Sequence, residues 1–166
     1  MTLMNRRTFL LAISAMPLAG CNWRPLYGTS AGAVSASLRE VDVAAQTTRL
    51  GQLVRNAFLA GIPPAAEGGG RYLLAFTARE DVQETVVAST SDAKQYRYRL
   101  LADFTLKDKR SGKVVLKGST FADTSYLTTR LPLADRQAKE HAQQAAARTL
   151  ADALRTRVAA WLGTAR

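Results

Sequence analysis

Residues 96–106 read YRYRLLADFTL, and the alternation within this stretch decides the predicted fold. Its even-numbered residues are all apolar or aromatic, whereas Arg97, Arg99, Asp103 and Thr105 occupy odd positions. Successive side chains of a β-strand point to opposite faces of the sheet. The stretch therefore predicts a strand with one packed face and one wet, basic face.

Neighbouring residues supply partners for this strand. The sequence DKRSGK at Asp108–Lys113 predicts a hairpin turn in which Gly112 adopts a positive φ, and Val114–Phe121 is expected to return antiparallel. Upstream, apolar residues alternate from Tyr72 onward and predict another strand. The polar segment Asp81–Ala93 that follows is expected to be either an extended edge or a loop.

Two helices are predicted outside these strands. Apolar residues recur every three or four positions along residues 48–60, which predicts a helix with one buried stripe. Thr47 or Thr48 can cap its start, and Gly61 is expected to end it in the left-handed conformation. A longer, alanine-rich helix follows Pro132, and its alanines would permit close approach to a sheet. The apolar positions of this helix are Ala138, Ala142, Ala145, Ala146, Leu150, Ala153, Leu154, Val158, Trp161 and Leu162.

A first strand predicted at Val34–Val43 completes the order β-α-β-β-β-α. We expect an α+β fold in which two helices pack on one face of a mostly antiparallel sheet of about four strands. A chain of this size can bury roughly two-thirds of its unfolded surface, which is enough for one core. Residues 34–166 are therefore assigned to a single domain.

The first residues have the layout of an export signal. Two arginines precede an apolar run from Phe9 to Leu18, which is shorter than the roughly 20 apolar residues that span a bilayer. The segment LAGC at residues 18–21 resembles the lipobox of bacterial lipoproteins, in which the cysteine is lipid-modified and becomes the first residue after cleavage. We therefore expect residues 1–20 to be a signal peptide and Cys21 to carry the lipid anchor.

The export route stays open, and the segment after the anchor is expected to be a tether. Residues 5–10 resemble a twin-arginine export motif, but the flanking residues depart from that pattern, so general secretion is equally compatible. Residues 21–33 contain Pro25 and several glycines and serines, which predicts a flexible tether. Since Cys21 is the only cysteine, its acylation leaves no thiol for a disulfide, a metal or a nucleophile.

The charge balance predicts an anionic partner. The chain has 23 basic and 13 acidic side chains, and removal of the two arginines in the signal leaves 21 against 13, formally +8. Nucleic acid is the usual partner of such a chain, but an exported protein does not normally meet it, and no nucleic-acid-binding signature is present. Anionic lipid or lipopolysaccharide fits the compartment better.

No arrangement of residues predicts catalysis, a metal or a cofactor. The sequence GTSAG at residues 28–32 matches the serine-hydrolase pattern, but it lies in the predicted tether and not at a strand-to-helix turn. His141 is the only histidine and has no accompanying cluster of metal ligands. We therefore expect a protein that is not an enzyme.

Residues 21–28, CNWRPLYG, resemble the opening of mature lipopolysaccharide-assembly lipoproteins of the LptE type, particularly the alphaproteobacterial form. The layout of the later elements agrees, with weaker matches at Arg55-Asn56 and Ser125-Tyr126. The resemblance implies an outer-membrane lipoprotein that sits as a plug inside the LptD barrel, assists the assembly of that barrel, and binds lipopolysaccharide without catalysis.

Basic residues of the predicted sheet are the candidate contacts for lipopolysaccharide. Guanidinium and ammonium groups can replace the divalent cations that bridge lipid A phosphates, through charge-assisted hydrogen bonds. The candidates are Lys94, Arg97, Arg99, Lys107 and Lys117. The alternative function is that of a lipid-anchored periplasmic scaffold, or an accessory subunit of an envelope transporter, that does not bind lipopolysaccharide.

Replacement of the predicted anchor residue tests the lipoprotein assignment. The substitution Cys21→Ala should abolish acylation, because no other cysteine can accept the lipid. Metabolic labelling with a fatty acid should therefore detect the parent chain and not the variant. Labelling of the variant at the parent level would contradict the assignment.

Overall fold

The computed structural model describes residues 37–62, 69–85, 94–129 and 131–164. The predicted signal peptide, Cys21 and the predicted tether lie outside the described residues. The elements are β1 (Val41–Val43), α1 (Arg49–Ala60), β2 (Tyr72–Thr85), β3 (Lys94–Asp108), β4 (Val114–Thr128) and α2 (Pro132–Thr164). Their order and the single four-stranded sheet confirm the predicted α+β fold.

The strands lie in the order β1-β2-β3-β4. β1 is parallel to β2, whereas the other neighbours are antiparallel. The β3–β4 hairpin closes at the predicted turn, where the Gly112 N–H donates to the Asp108 carbonyl at 2.8 Å and Gly112 has a φ of 69°. Only glycine adopts that conformation without steric cost, so the reason given for the turn is confirmed.

One irregularity interrupts the ladder between β3 and β4, directly beside this turn. Lys107 pairs with Val114, but the next residue of β3, Leu106, pairs with Leu116. Val115 is therefore an extra residue on β4 and forms a β-bulge. Beyond it the pairing continues without interruption to the far end of both strands.

The first strand is shorter than predicted. Only the last three residues of the segment Val34–Val43 form β1; residues 37–40 are helical and then turn, and residues 34–36 lie outside the described part. Leu38 is buried from within this turn. The prediction was wrong there because a turn already buries the one large apolar side chain, and residues 37–40 include no β-branched residue to favour a strand.

β2 and β4 are longer than their residue types predicted. Asp81–Thr85 belong to β2 and pair with Gln95–Arg99, so the first part of the polar segment is an extended edge and not a loop. Residues 86–93 lie outside the described part of the chain. β4 likewise continues from Phe121 to Thr128, because every one of these residues pairs with β3.

Both helices pack on one face of the sheet, as predicted. The face carries the even-numbered residues of β3, of which Tyr98, Leu100 and Leu106 are fully buried. They share one core cluster with Leu150 and Leu154 of α2. The alternation at residues 96–106 therefore separates the core side of β3 from its surface side.

The buried side of α2 is wider than the predicted stripe. Ala147 and Ala151 are buried although the periodicity did not select them, whereas Ala145 is exposed, contrary to the prediction. α2 packs against α1 as well as against the sheet, so two of its sides are covered. Alanine at these positions lets both neighbours approach the helix closely.

The ends of α1 are fixed by a threonine and a glycine. The Thr48 hydroxyl accepts the Gly51 N–H at 3.1 Å, which confirms it as the N-cap. Gly61 follows the last turn with a φ of −96°, so the prediction of a left-handed residue there is wrong. The glycine serves a different purpose, because a Cβ at this position would lie 2.3 Å from Cζ of Arg155.

Arg155 of α2 caps the C-terminus of α1 through the space that Gly61 leaves. Its Nη1 donates to the carbonyl oxygens of Ala57 and Phe58 at 2.7 and 2.9 Å. The last carbonyls of a helix lack intrahelical partners, and a cation at this end also opposes the helix dipole. A contact 98 residues apart in sequence therefore joins the two helices.

Removal of this guanidinium should destabilise the domain. Arg155→Met keeps the aliphatic stem but removes the charged donor from the Ala57 and Phe58 carbonyls, of which Phe58 keeps the Gly61 N–H at 3.3 Å. We expect a loss of about 2 kcal/mol, the range for hydrogen bonds that involve a charged group. Arg148→Met, which removes an exposed arginine from the same helix, is the control. Urea unfolding should show a lower midpoint with an unchanged m-value only for the first variant. Equal midpoints for the two variants would contradict the capping role.

Candidate functional site

The sheet face opposite the helices, called the open face below, carries the odd-numbered residues of β2 and β3 and, past the bulge, of β4. No described helix or strand covers it. Phe121 stands in the middle of β4 with 56% of its surface exposed, opposite the half-buried Leu101 of β3. Most large apolar side chains of the described chain are buried on the other face, so Phe121 and Leu101 give the open face a partly apolar centre.

A groove of about 650 Å³ runs across the open face beside these apolar residues. It exists because three neighbouring strands carry small side chains in adjacent rows. The residues that line it with their side chains are Ala75, Thr77, Asp103, Thr105, Lys117 and Ser119. The open groove thus combines methyl and hydroxyl groups with one basic side chain, Lys117, and one carboxylate, Asp103, which Arg79 binds at 2.9 Å.

Two of the predicted basic residues lie at one end of the open face and share a carboxylate. Arg99 donates to both oxygens of Asp123 at 2.7 and 2.9 Å, and Arg97 donates to the same carboxylate at 2.7 Å. The bonds from Arg99, and then those from Arg97, hold the pKa of the Asp123 carboxyl well below its usual range. The Arg99 guanidinium also stacks 4.7 Å from the centre of the Phe121 ring. Asp81 of β2 lies opposite Arg99, so the two arginines and the two carboxylates of this cluster carry no net charge.

The other two basic residues of this face remain uncompensated. Lys107 and Lys117 are exposed, and neither forms an ion pair with any residue that the structure describes. Lys117 pairs across the ladder with Thr105, and Asp123 lies six residues further along β4. At about 3.3 Å per residue the lysines are therefore roughly 20 Å from the arginine cluster. The open face has two separate basic regions.

The fifth candidate, Lys94, does not join either region. Lys94 lies on the even-numbered side of β3, which faces the helices, and its ammonium is 3.1 Å from the Glu84 carboxylate of β2. On the same side the Tyr98 hydroxyl donates to Glu80 at 2.8 Å, and burial raises the pKa of that hydroxyl. Lys94 therefore belongs to a polar cluster that joins strand ends under α2, on the face opposite the other four candidates.

A second groove, of about 540 Å³, lies between the two helices and is called the helix groove below. Leu53 and Asn56 of α1 line one side, and Gln144 and Arg148 of α2 line the other. Arg155 closes one end through the carbonyl contacts described above. The helix groove has no exposed aromatic side chain among its lining residues, in contrast to the open face.

The described residues contain no cluster of three or more potential metal ligands, and His141 is exposed on α2. None of the described helices is long and apolar enough to cross a membrane. The serine of the GTSAG sequence lies outside the described residues. What the open face offers chemically is binding of a ligand that is both anionic and apolar.

Sequence reasoning missed Asp123 and Phe121 as members of the site. A hairpin closed at Asp108 and Lys113 without a bulge would set Ala122, and not Asp123, opposite Arg99. The bulge at Val115 shifts the register by one residue, and such a shift exchanges the two faces of a strand. No local residue pattern predicted that bulge.

Comparison with known proteins gives a family and a fold. The family model described as LptE, Lipopolysaccharide-assembly, matches residues 38–158, which extend from the turn before β1 into the last part of α2. No curated protein matches the chain.

Three solved structures have the same fold at low sequence identity. A Caulobacter crescentus CB15 protein described as a lipoprotein is 22% identical, with a TM-score of 0.66 over 80% of this chain and 97% of its own. A minor lipoprotein from Acinetobacter baumannii is 18% identical, with a TM-score of 0.51 over 72% and 90%. Rare lipoprotein B from Shewanella oneidensis is 17% identical, with a TM-score of 0.53 over 76% and 97%.

The arginine cluster should make stability depend on pH in the acid range. A carboxyl whose pKa is lowered by folding stabilises the protein at pH values above the ordinary pKa of that carboxyl, near 3.8. This contribution disappears as the pH falls toward the pKa of the folded state. Asp123→Asn should therefore lower the urea midpoint at neutral pH, and the difference from the parent should shrink as the pH falls below about 4.

The control for this experiment is Asp103→Asn, whose carboxylate bonds a single exposed arginine, Arg79, at 2.9 Å. It should show a smaller difference at neutral pH. A parent-to-variant difference for Asp123→Asn that stays constant across the acid range would contradict the role given to this carboxylate.

Proposed function

The chain belongs to the lipopolysaccharide-assembly family LptE, and on that premise we propose that it is a lipid-anchored outer-membrane protein that binds lipopolysaccharide on its open face. We further propose that it acts as plug and assembly partner of the LptD barrel. The anchor is Cys21, and the domain lies on the periplasmic side of the membrane. This role requires binding and positioning and no catalysis.

The observation that carries the proposal is the joint presence of apolar and basic groups on the open face. The lipid A part of lipopolysaccharide carries phosphates and acyl chains on the same sugars. A surface that binds it therefore needs cations beside apolar area. Phe121 and Leu101 supply apolar area, and Lys117 lies at the margin of the open groove. The helix groove offers Arg148 but no comparable exposed aromatic group.

The two basic regions of the open face are expected to contribute unequally. The ammonium groups of Lys107 and Lys117 form no ion pair with a described carboxylate, and Asp103 in the open groove is bound by Arg79, so both lysines can bind phosphate without giving up an ion pair. Arg97 and Arg99 already share Asp123, and a phosphate must compete with that carboxylate for their donors. The lysines therefore dominate phosphate binding in this proposal.

The dimensions of the domain support a place in a large barrel. β3 has 15 residues and α2 has 33, so each extends about 50 Å at 3.3 and 1.5 Å per residue respectively. The two elements pack side by side, and the chain enters the described domain beside one end of the sheet. Such an elongated domain can lie along the axis of a barrel while a lipid anchor holds the preceding segment at the membrane.

Paired lysine substitution tests lipopolysaccharide binding. Lys107→Gln combined with Lys117→Gln should weaken binding about tenfold or more, since charge-assisted bonds contribute about 1.5 to 3 kcal/mol each when made. Arg97→Gln combined with Arg99→Gln removes the same charge and should weaken binding less. Affinity is measured by titration at one fixed salt concentration, because screening changes such interactions.

Glutamine is used in place of glutamate in both pairs because a glutamate at position 97 or 99 would face Asp123 and could unfold the strand end. Unchanged affinity for both folded variants would contradict binding at the open face. Absence of lipopolysaccharide binding by the parent, with recovery of an envelope transporter as the crosslinked partner, would favour the scaffold alternative.

A further inference from the structure

The start of the described chain and the β3–β4 hairpin lie together at one end of the sheet. Glu40, just before β1, accepts the Tyr72 N–H at 2.9 Å, and Lys109 of the hairpin donates its N–H to the Arg71 carbonyl at 3.0 Å. The Lys109 side chain also reaches Asp42 in β1. The point where the chain enters the domain and the turn at residues 108–113 are therefore neighbours, and they are called the hairpin end below.

Two of the three acidic side chains of the hairpin end, Asp42 and Asp108, are bound by other groups of that end. Asp108 is buried and accepts from Arg71 at 2.9 Å and from the Arg110 N–H at 2.8 Å. Asp42 accepts from Lys109 and from the Gly70 N–H. The bonds from Arg71 first, and then the one from the Arg110 N–H, keep the pKa of the Asp108 carboxyl below its usual range, so this carboxyl stays ionised.

Three basic side chains at this end form no ion pair with a described residue. They are Arg39, Arg110 and Lys113, and all three are exposed. Residues 39–42, 69–71 and 107–113 together contain six basic and three acidic side chains. The hairpin end therefore carries an uncompensated positive charge.

The opposite end of the sheet is neutral. Residues 79–85, 94–99 and 123–128 contain four basic and four acidic side chains. Several of them pair with one another at short distances, as in the bonds of Arg97 to Asp123 at 2.7 Å and of Lys94 to Glu84 at 3.1 Å. The positive charge of the sheet is therefore polarised toward the end at which the chain enters.

We propose that the hairpin end docks on the anionic phospholipid headgroups of the membrane to which the protein is anchored. The inference rests on the lipid anchor of the proposed function, because the segment from Cys21 joins the domain at Ser37, beside the hairpin. A lipid at the start of that segment holds this end of the domain nearest to the membrane surface. Arg39, Arg110 and Lys113 then meet phosphate groups at the membrane surface.

The experiment measures binding to vesicles that contain no lipopolysaccharide. The mature chain, residues 21–166 with Cys21→Ser so that no acyl chain contributes, is mixed with vesicles of phosphatidylethanolamine and phosphatidylglycerol, and the bound fraction is found by flotation. Arg110→Gln combined with Lys113→Gln should reduce the partition coefficient by about thirtyfold, because each basic side chain near an anionic surface contributes roughly a fivefold factor. Vesicles of phosphatidylcholine should bind little of either protein.

The matched control is Arg136→Gln combined with Arg148→Gln, which removes the same charge from exposed positions of α2. It should bind the anionic vesicles nearly as well as the parent, and urea midpoints should show that all variants are folded. Equal losses for the two pairs, or no loss for the hairpin pair, would overturn the proposal. A hairpin pair that loses lipopolysaccharide affinity while it keeps vesicle affinity would also overturn it.

The vesicle assay is independent of the proposed lipopolysaccharide site, because neither lipopolysaccharide nor a barrel is present. If the lysine pair and the arginine pair both retain lipopolysaccharide binding, the proposed binding at the open face fails while the vesicle result still decides the docking surface. If the parent binds anionic and zwitterionic vesicles equally, the docking proposal fails whatever the lipopolysaccharide result.

Discussion

A single extra residue in β4, Val115, fixes the relation between the core and the open face. The tight turn pairs Lys107 with Val114, and past the bulge every residue of β4 is shifted by one. The shift turns Thr120 and Ala122 toward the helices, where both are buried, and turns Phe121 outward. Without it β4 would present its other side to the core, because a one-residue slip exchanges the two faces of a strand. Both the core and the proposed binding surface depend on this register.

The one-sided arrangement of the helices is the second constraint. Because α1 and α2 both lie on the even-numbered side of β3, the odd-numbered side has no described cover. The same packing explains why α2 needs alanines on two sides and why Gly61 must leave room for Arg155. The bonds of Arg155 to the last turn of α1 hold the two helices together as a unit. The helices therefore pack together on one side of the sheet, and no described element covers the open face.

The sequence predicted those features that depend on local pattern. The alternation at residues 96–106, the glycine of the hairpin and the Thr48 cap are local, and the structure confirms each of them. Features that depend on distant contacts were missed or misread. Gly61 was assigned to backbone conformation, whereas its role is to accommodate a guanidinium from α2, and Ala147 is buried only because α1 lies beside it. The pairing of Arg99 with Asp123 depends on the bulge, so it could not be derived from either strand alone.

The central claim is that lipopolysaccharide binds on the open face and not between the helices. A photoreactive amino acid placed at Ser119, in the open groove, or at Gln144, in the helix groove, tests this directly in living cells. After irradiation, the account predicts an adduct that reacts with an antibody to lipopolysaccharide from position 119 and none from position 144. Adducts from position 144 together with none from position 119 would contradict it.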